Sequence, residues 1–371
     1  MIIPKVPLFE LNDRKSVKGV DFDFNLIFKK NEGLLKQKIS KKLKKFLIER
    51  YKSNHSNSSA MEESSHRQRH GYRLFNHIQK YFKKNLYGKK ILEIGCGSGF
   101  LLGLFKKKNC EVLGIEPSNI KKYKNINIKK DFFLKSKFQS KFDIITSNAV
   151  LEHEFNPNKF LKKSYNDLKI GGMNFICVPD FTKLIQNGDP TLINHEHISY
   201  FTKSNLKYYL KKNKFMKVRV FSDKFGNLFG LGFKGGKKTN KINKIKLEKY
   251  KDRSQYVNKF YACVKRIDSW LSKENKEYNL GLYGATSSIS TIFSQIQSKK
   301  KNIYIFDADT QKQKKYIKSF PHEILEPKKI LKKGIKKIII LPYFYEKEIK
   351  KFLTNEINFK SKNIKCLSNF F

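Results

Sequence analysis

Apolar and polar positions along the chain follow two rhythms. Between residues 89 and 235 short apolar runs recur with helical stretches between most of them. The runs 91–94, 111–115, 143–146, 173–178, 217–221 and 228–233 predict strands. The last two follow one another closely, with Gly226 and Asn227 in the six residues between them, as in an antiparallel hairpin. A strand–helix series closed by a hairpin predicts an α/β fold: a mostly parallel sheet with an antiparallel edge. Upstream, residues 20–28 alternate like a strand, and 34–51 read as a Lys-rich helix. Residues 53–65 are Ser- and Asn-rich and read as a loop. Tyr72, Phe75, Ile78 and Phe82 stand at helical spacing within 67–87. Downstream, Val257, Phe260, Tyr261, Val264, Ile267 and Leu271 predict one long amphipathic helix. Strand-like runs resume at 280–283, 303–306, 338–341 and 364–367, predicting a second, smaller α/β unit. The pattern divides the chain into a leader (1–66), an α/β core (67–236), a connecting helix (237–278) and an α/β tail (279–371).

Charge qualifies this picture. The 371 residues hold 79 Lys+Arg against 32 Asp+Glu, a net charge of +47. Such an excess suggests an anionic partner. Of the 79 basic residues, however, 71 are Lys and 8 are Arg, and the lysines are spread along the whole chain. Specific base readout favours the planar Arg fork, so no specific nucleic-acid binding is expected. Lys, Asn, Ile, Phe and Tyr all have AT-rich codons, and their shared abundance reads as compositional bias. No apolar run approaches the ~18–20 residues of a membrane span. Pro4, Lys5, Pro7, Glu10 and Asp13 interrupt any secretory core near the N-terminus. Cys96, Cys110, Cys177, Cys263 and Cys366 are scattered, without a C-x-x-C pair. A soluble protein of a reducing compartment, the cytoplasm, is expected.

The sharpest local signal runs from Lys90 to Leu102, where the apolar strand Ile91-Leu92-Glu93-Ile94 enters Gly95-Cys96-Gly97-Ser98-Gly99 and then a helix. Glycines allow a tight turn and close approach of backbone to a ligand. A second strand ends in Glu116, placed to accept the hydroxyls of a ribose. Asp131 follows a short apolar stretch and is a candidate for the adenine, or a plain loop carboxylate. Cys96 has no base nearby in sequence and reads as a small filler.

The spacing E-x-G-x-G-x-G resembles the first motif of class I S-adenosylmethionine (SAM) methyltransferases. In that family the loop cradles the methionyl part of the cofactor, and the carboxylate beside it, here Glu93, suits an ammonium group. Lys141-Phe142-Asp143-Ile144-Ile145, Val150-Leu151-Glu152-His153 with Pro157, and Leu168-Lys169-Ile170-Gly171-Gly172 stand in the order of the family's later motifs. By themselves Glu152 and His153 read as packing residues after the fourth strand. The Asn/Asp-Pro-Pro-aromatic signature of nucleic-acid base methyltransferases is missing, since the chain reads Ser147-Asn148-Ala149-Val150 there.

A second sharp feature is Asn194-His195-Glu196-His197-Ile198-Ser199-Tyr200-Phe201-Thr202. Its two histidines supply only two metal ligands, with no Cys or third His close in sequence, so no metal is expected. A polar loop capping the helix at 204–210 is one alternative, and an acid–base centre is the other. The segment resembles the "YHEHYSYFS" stretch of nucleotide-sugar C-methyltransferases. Leu282-Tyr283-Gly284-Ala285 and Ile305-Phe306-Asp307 resemble the Rossmann-like tail of the same proteins. The resemblance implies a SAM enzyme that methylates a carbon next to a ketone of a nucleotide-linked deoxysugar. It implies His197 as general base, with His195 and Glu196 orienting or tuning it, and Tyr51 as a residue of a cofactor lid. O- or N-methylation of another small acceptor is the alternative. Asn194 replaces the family's Tyr, and no Cys precedes Cys96, so the family's N-terminal zinc domain is expected to be absent.

Overall fold

The computed structural model describes residues 2–15, 17–53, 65–82, 85–119, 125–236, 247, 254–274, 278–298 and 302–371. Most of the Ser/Asn-rich loop at 53–65, and residues 237–246 of the connecting stretch, lie outside these. The chain forms two compact units that interleave in sequence. One takes residues 28–180 and 196–249; the other takes 1–27, 181–195 and 250–371. The linear division into leader, core, connector and tail therefore does not describe the units. The leader is shared, and a 15-residue excursion leaves the core after its fifth strand.

The first unit is built on seven strands, numbered here in chain order. They are β1 (Lys90–Ile94), β2 (Glu111–Ile115), β3 (Ile128–Lys129), β4 (Phe142–Asn148), β5 (Leu168–Pro179), β6 (Met216–Ser222) and β7 (Asn227–Phe233). Their order in the sheet is β6-β7-β5-β4-β1-β2-β3. The five strands β1 to β5 run parallel, and β7 pairs antiparallel with both β5 and β6. The chain thus fills one side of β1, then returns to its other side with β4. That reversal opens a crevice at the carboxyl ends of β1 and β4, where open α/β sheets bind ligands. Both faces are covered. Leu92, Ile94, Ile145, Ile176 and Leu228 pack on one side; Ile91, Ile144, Phe175, Cys177 and Phe229 pack on the other. Such two-sided burial explains why these strands read as near-continuous apolar runs.

Local rules set the helices. The helix Pro157–Asp167 starts with Pro at its first turn, and its Asn156 side chain accepts the Lys159 N–H. The helix Lys203–Lys212 begins with a capping box between Thr202 and Asn205. Residues 34–51 do not form one helix. Leu34–Gln37 is a strand paired antiparallel with Ser199–Tyr200, and the helix Lys41–Lys52 begins only after Ser40, whose hydroxyl caps the Leu43 N–H. Leu34 and Leu35 are buried in an extended pairing that helical periodicity alone does not reveal.

The second unit has a five-stranded parallel sheet. Continuing the numbering, β8 (Asn279–Tyr283), β9 (Ile303–Phe306), β10 (Ile324–Leu325), β11 (Ile335–Ile340) and β12 (Ile364–Cys366) lie in the order β10-β9-β8-β11-β12. The helix Ser254–Glu274 packs Val257, Phe260, Val264, Ile267 and Leu271 inward as expected, but leaves Tyr261 exposed. The N-terminal segment belongs to this unit. Ile2–Pro7 pairs with residues 21–25. Leu11–Asn12 pairs with Tyr316–Ile317. Among the described residues no helix is long and apolar enough to cross a membrane.

Candidate functional site

The turn after β1 is shaped for close contact. Gly95, Gly97 and Gly99 adopt φ of +66°, +54° and +95°, a region L side chains rarely enter. A methyl group on Gly95 would collide with Cγ2 of Val150, the residue leading into Leu151–His153. This close approach joins the glycine turn to the segment that follows β4. Glu116, at the end of β2, accepts the Gly97 N–H at 3.0 Å, the Ser118 N–H at 3.2 Å and the Ser118 hydroxyl at 2.6 Å. All three of these donors are neutral.

Glu93 lies beneath the turn and is buried. Burial pushes its carboxyl well above the usual range, and the neighbouring Glu116 charge adds to this. Its Oε2 has no hydrogen-bond partner among the described residues. The shift favours the protonated form, and a cation brought beside it would favour the ionised one. An orphaned buried oxygen under a side-chain-free cradle fits a ligand that carries an ammonium group. Asp131 is used locally: its carboxylate accepts the Ser136 hydroxyl at 2.8 Å and the Phe132 N–H at 2.8 Å, and the Ser136 bond leads in lowering its pKa.

The second cluster gathers residues far apart in sequence. Leu151–His153 forms a single 3-10 turn after β4. Glu152 is fully buried, and neither carboxylate oxygen has a hydrogen bond among the described residues. Burial raises its pKa. Its Oε1 is 3.7 Å from Nε2 of His153. The His153 and His197 rings lie 5.1 Å apart, edge to face. Nδ1 of His153 is 2.8 Å from the Glu196 carbonyl and 3.2 Å from the Tyr51 hydroxyl. A carbonyl can only accept, so in the neutral ring Nδ1 is the nitrogen that carries the proton. Burial holds the pKa of His197 well below the usual histidine range, and the His153 charge pushes the same way. At neutral pH His197 is therefore an uncharged imidazole. The segment is pinned on either side: the Ile198 N–H donates to the Glu152 carbonyl, and the Gln37 N–H donates to the Ile198 carbonyl.

Glu196 receives Arg50 Nε at 2.6 Å, and both side chains are almost inaccessible. Removing one partner of a buried ion pair costs about 3–5 kcal/mol. An exposed pair such as Lys90–Glu111 contributes roughly 0–1 kcal/mol. His195, expected to orient His197, belongs instead to the second unit. Its Nε2 is 2.9 Å from the Val6 carbonyl, its ring packs beside Phe22 and Phe24, and burial lowers its pKa to about 4. The physical reason is the crossover between units, which falls between His195 and Glu196.

Sequence reasoning set Glu152 and His153 aside as packing residues and did not single out Arg50. The signal for Arg50 is scarcity: Arg is 8 of 79 basic residues, so each one marks a place where the planar fork matters. Arg73 is another, lying 4.3 Å over the Phe225 ring. Near it, His70 Nε2 meets Asn148 at the end of β4 at 2.9 Å.

Comparison with known proteins agrees with the geometry of the first unit. Residues 65–220 match the family model described as a methyltransferase domain. The ubiquinone biosynthesis O-methyltransferase of Coxiella burnetii (strain RSA 493) is 31% identical over 116 residues, covering 28% of this chain and 50% of that protein. The enzyme of the same name from Glaesserella parasuis is 36% identical over 110 residues, covering 24% and 45%. The chain thus spans about half the length of the curated relatives it matches. Among solved structures, Burkholderia thailandensis 1,6-didemethyltoxoflavin-N1-methyltransferase aligns with a TM-score of 0.40 at 14% identity, covering 55% of this chain and 96% of that one. A SAM-dependent methyltransferase from Archaeoglobus fulgidus aligns with a TM-score of 0.36 at 17% identity, covering 44% and 94%. Residues 65–220 thus carry a methyltransferase domain.

Proposed function

We propose that the whole chain methylates a small acceptor at a carbon next to a ketone, the acceptor being a nucleotide-linked deoxysugar. The observation that carries this reading is the paired imidazoles of His153 and His197, which adjoin the glycine turn through Val150. A carbon becomes nucleophilic only when a proton is removed beside a carbonyl, so a neutral, buried base must face it. His197 is that base: its low pKa keeps it unprotonated at neutral pH. His153 stands in edge-to-face contact with it. Burial raises the pKa of Glu152, which favours the protonated form that can donate to a developing enolate oxygen.

Gly95, Gly97 and Gly99 would hold the cofactor's methionyl part, Glu93 its ammonium group and Glu116 the ribose hydroxyls. Asp131, whose oxygens are engaged locally, would reach the adenine edge only by exchanging those bonds. When bound, SAM supplies an electrophilic methyl group. This chain's own task is to position the acceptor, exclude water and take up one proton.

The matched relatives favour a second reading, methyl transfer to an oxygen, because they are O-methyltransferases by name. Incubation of a sugar-nucleotide panel with labelled SAM, read by mass spectrometry, tests the acceptor class. Deuterium wash-in at the acceptor carbon without SAM is expected for the carbon reading. Product without wash-in favours the oxygen reading. His197→Ala is expected to lower turnover by about a hundredfold or more, the usual worth of a general base, while cofactor binding persists. Near-full activity of that variant would remove the base assignment.

A further inference from the structure

The cluster around His153 is reached by two adjacent residues of the helix Lys41–Lys52, and their contacts fall on one hydrogen-bonded chain. Arg50 Nε donates to the Glu196 carboxylate at 2.6 Å. The Glu196 backbone carbonyl accepts the His153 Nδ1–H at 2.8 Å. The Tyr51 hydroxyl shares that same Nδ1–H from 3.2 Å. The Glu196 carbonyl is the nearer of the two and can only accept, so it sets which nitrogen of a neutral His153 carries the proton.

We propose that Arg50 is a positioning residue of the proton-transfer centre, fixing Glu196 so that its carbonyl locks His153 in the Nδ1–H tautomer with Nε2 free beside Glu152. This deepens the reading of the cluster as an acid–base centre and rests on it. The argument has three parts. The pair is buried on both sides, so water does not compete for either partner. Arginine is rare in this chain, and a lysine has neither the Nε–H nor the rigid planar fork to repeat the contact. Glu196 lies between the crossover at His195 and the tethered Ile198, so its carboxylate is the handle by which its own peptide is oriented. A helix outside the matched domain, residues 65–220, would then complete the centre, so the matched domain alone would lack it.

The test is long-range 15N NMR of the full chain labelled at histidine, with the His153 signal assigned by its loss in His153→Gln. The wild type is expected to show His153 as a single Nδ1–H tautomer. Arg50→Met is expected to lose it, giving a mixture of both tautomers, and Arg50→Lys is expected not to restore it. Where Arg50→Met does not fold, Glu196→Gln keeps the arginine and the side-chain shape while removing the charge. It is expected to give the same loss. Retention of the single Nδ1–H tautomer in both Arg50→Lys and Glu196→Gln overturns the proposal. The readout needs no acceptor, so it fails independently of the turnover test on His197→Ala.

Discussion

The molecule contains two glycine turns of the same descent, strand to turn to helix, and they are finished differently. After β1, three glycines in left-handed conformations stand over the buried Glu93, and among the described residues the acid at the end of β2 accepts from neutral donors. After β8, Gly284 alone has positive φ, +99°. The acid at the end of β9, Asp307, accepts the Ala285 N–H at 2.8 Å and the Asp309 N–H at 2.9 Å. It also accepts the Lys312 ammonium at 3.0 Å, which in turn donates to the Ala285 carbonyl at 3.1 Å. A cation from the chain itself sits where a ligand's hydroxyls would approach. Among the described residues, the acid after the first turn accepts from neutral donors, whereas the acid after the second also pairs with a lysine of the chain.

The strongest way to break this comparison is to add one methyl group to each turn. Gly95→Ala must bear a left-handed conformation and a collision with Val150, and we expect SAM affinity to fall by roughly a thousandfold in calorimetry. Gly284→Ala collides with Pro342. It is expected to lower the stability of its own unit by about 2–4 kcal/mol in denaturant titration while leaving cofactor affinity within about twofold. If Gly284→Ala also abolished cofactor binding, the two turns would not be independent.

A smaller effect sharpens the role of the acids. Glu116→Gln keeps the shape but weakens the charge-assisted contact to a ribose, and about a tenfold loss of affinity is expected, equivalent to about 1.4 kcal/mol. The corresponding Asp307→Asn is expected to leave affinity unchanged.

The smallest effect concerns Glu93 and depends on pH. Its folded pKa is raised, so the stability its protonated form contributes is present below the ordinary carboxylate range and is lost as pH rises through the folded pKa. Glu93→Gln has no such loss. Thermal melts across pH 5 to 9 are expected to show the variant gaining on the wild type as pH rises. A constant difference would mean that Glu93 is ionised in the folded state.

Much of the fold was legible because its strands are buried on both faces and bounded by punctuation. The runs at β1, β2, β4, β5 and β7 fall where apolar stretches fall, β6 where apolar residues alternate with Lys217 and Arg219, and Asn156–Pro157 and Thr202–Asn205 announce their helices by capping chemistry. The region at 34–51 was misread because Leu34–Gln37 owes its extended form to a partner strand more than 160 residues later, a long-range pairing that no local window contains. The glycine turn was legible for the opposite reason: its geometry is written in residues that have no side chain.

The acid–base cluster lay between these cases. His197 and Glu196 stand out by spacing, but nothing local says that His153 joins them or that His195 does not. His195 and Glu196 are neighbours in sequence and belong to different units. Arg50 meets Glu196 across 146 positions.

By itself, then, the sequence determined the α/β alternation, the glycine turn and its acid, because periodicity, missing side chains and strand-end register are local properties. Only the tertiary structure decided which titratable groups share a site, which nitrogen of a neutral His153 carries the proton and that Asp307 after the second turn is paired with Lys312. Those outcomes depend on burial and on partners brought from distant segments, and burial is a property of the packed chain rather than of any stretch of it.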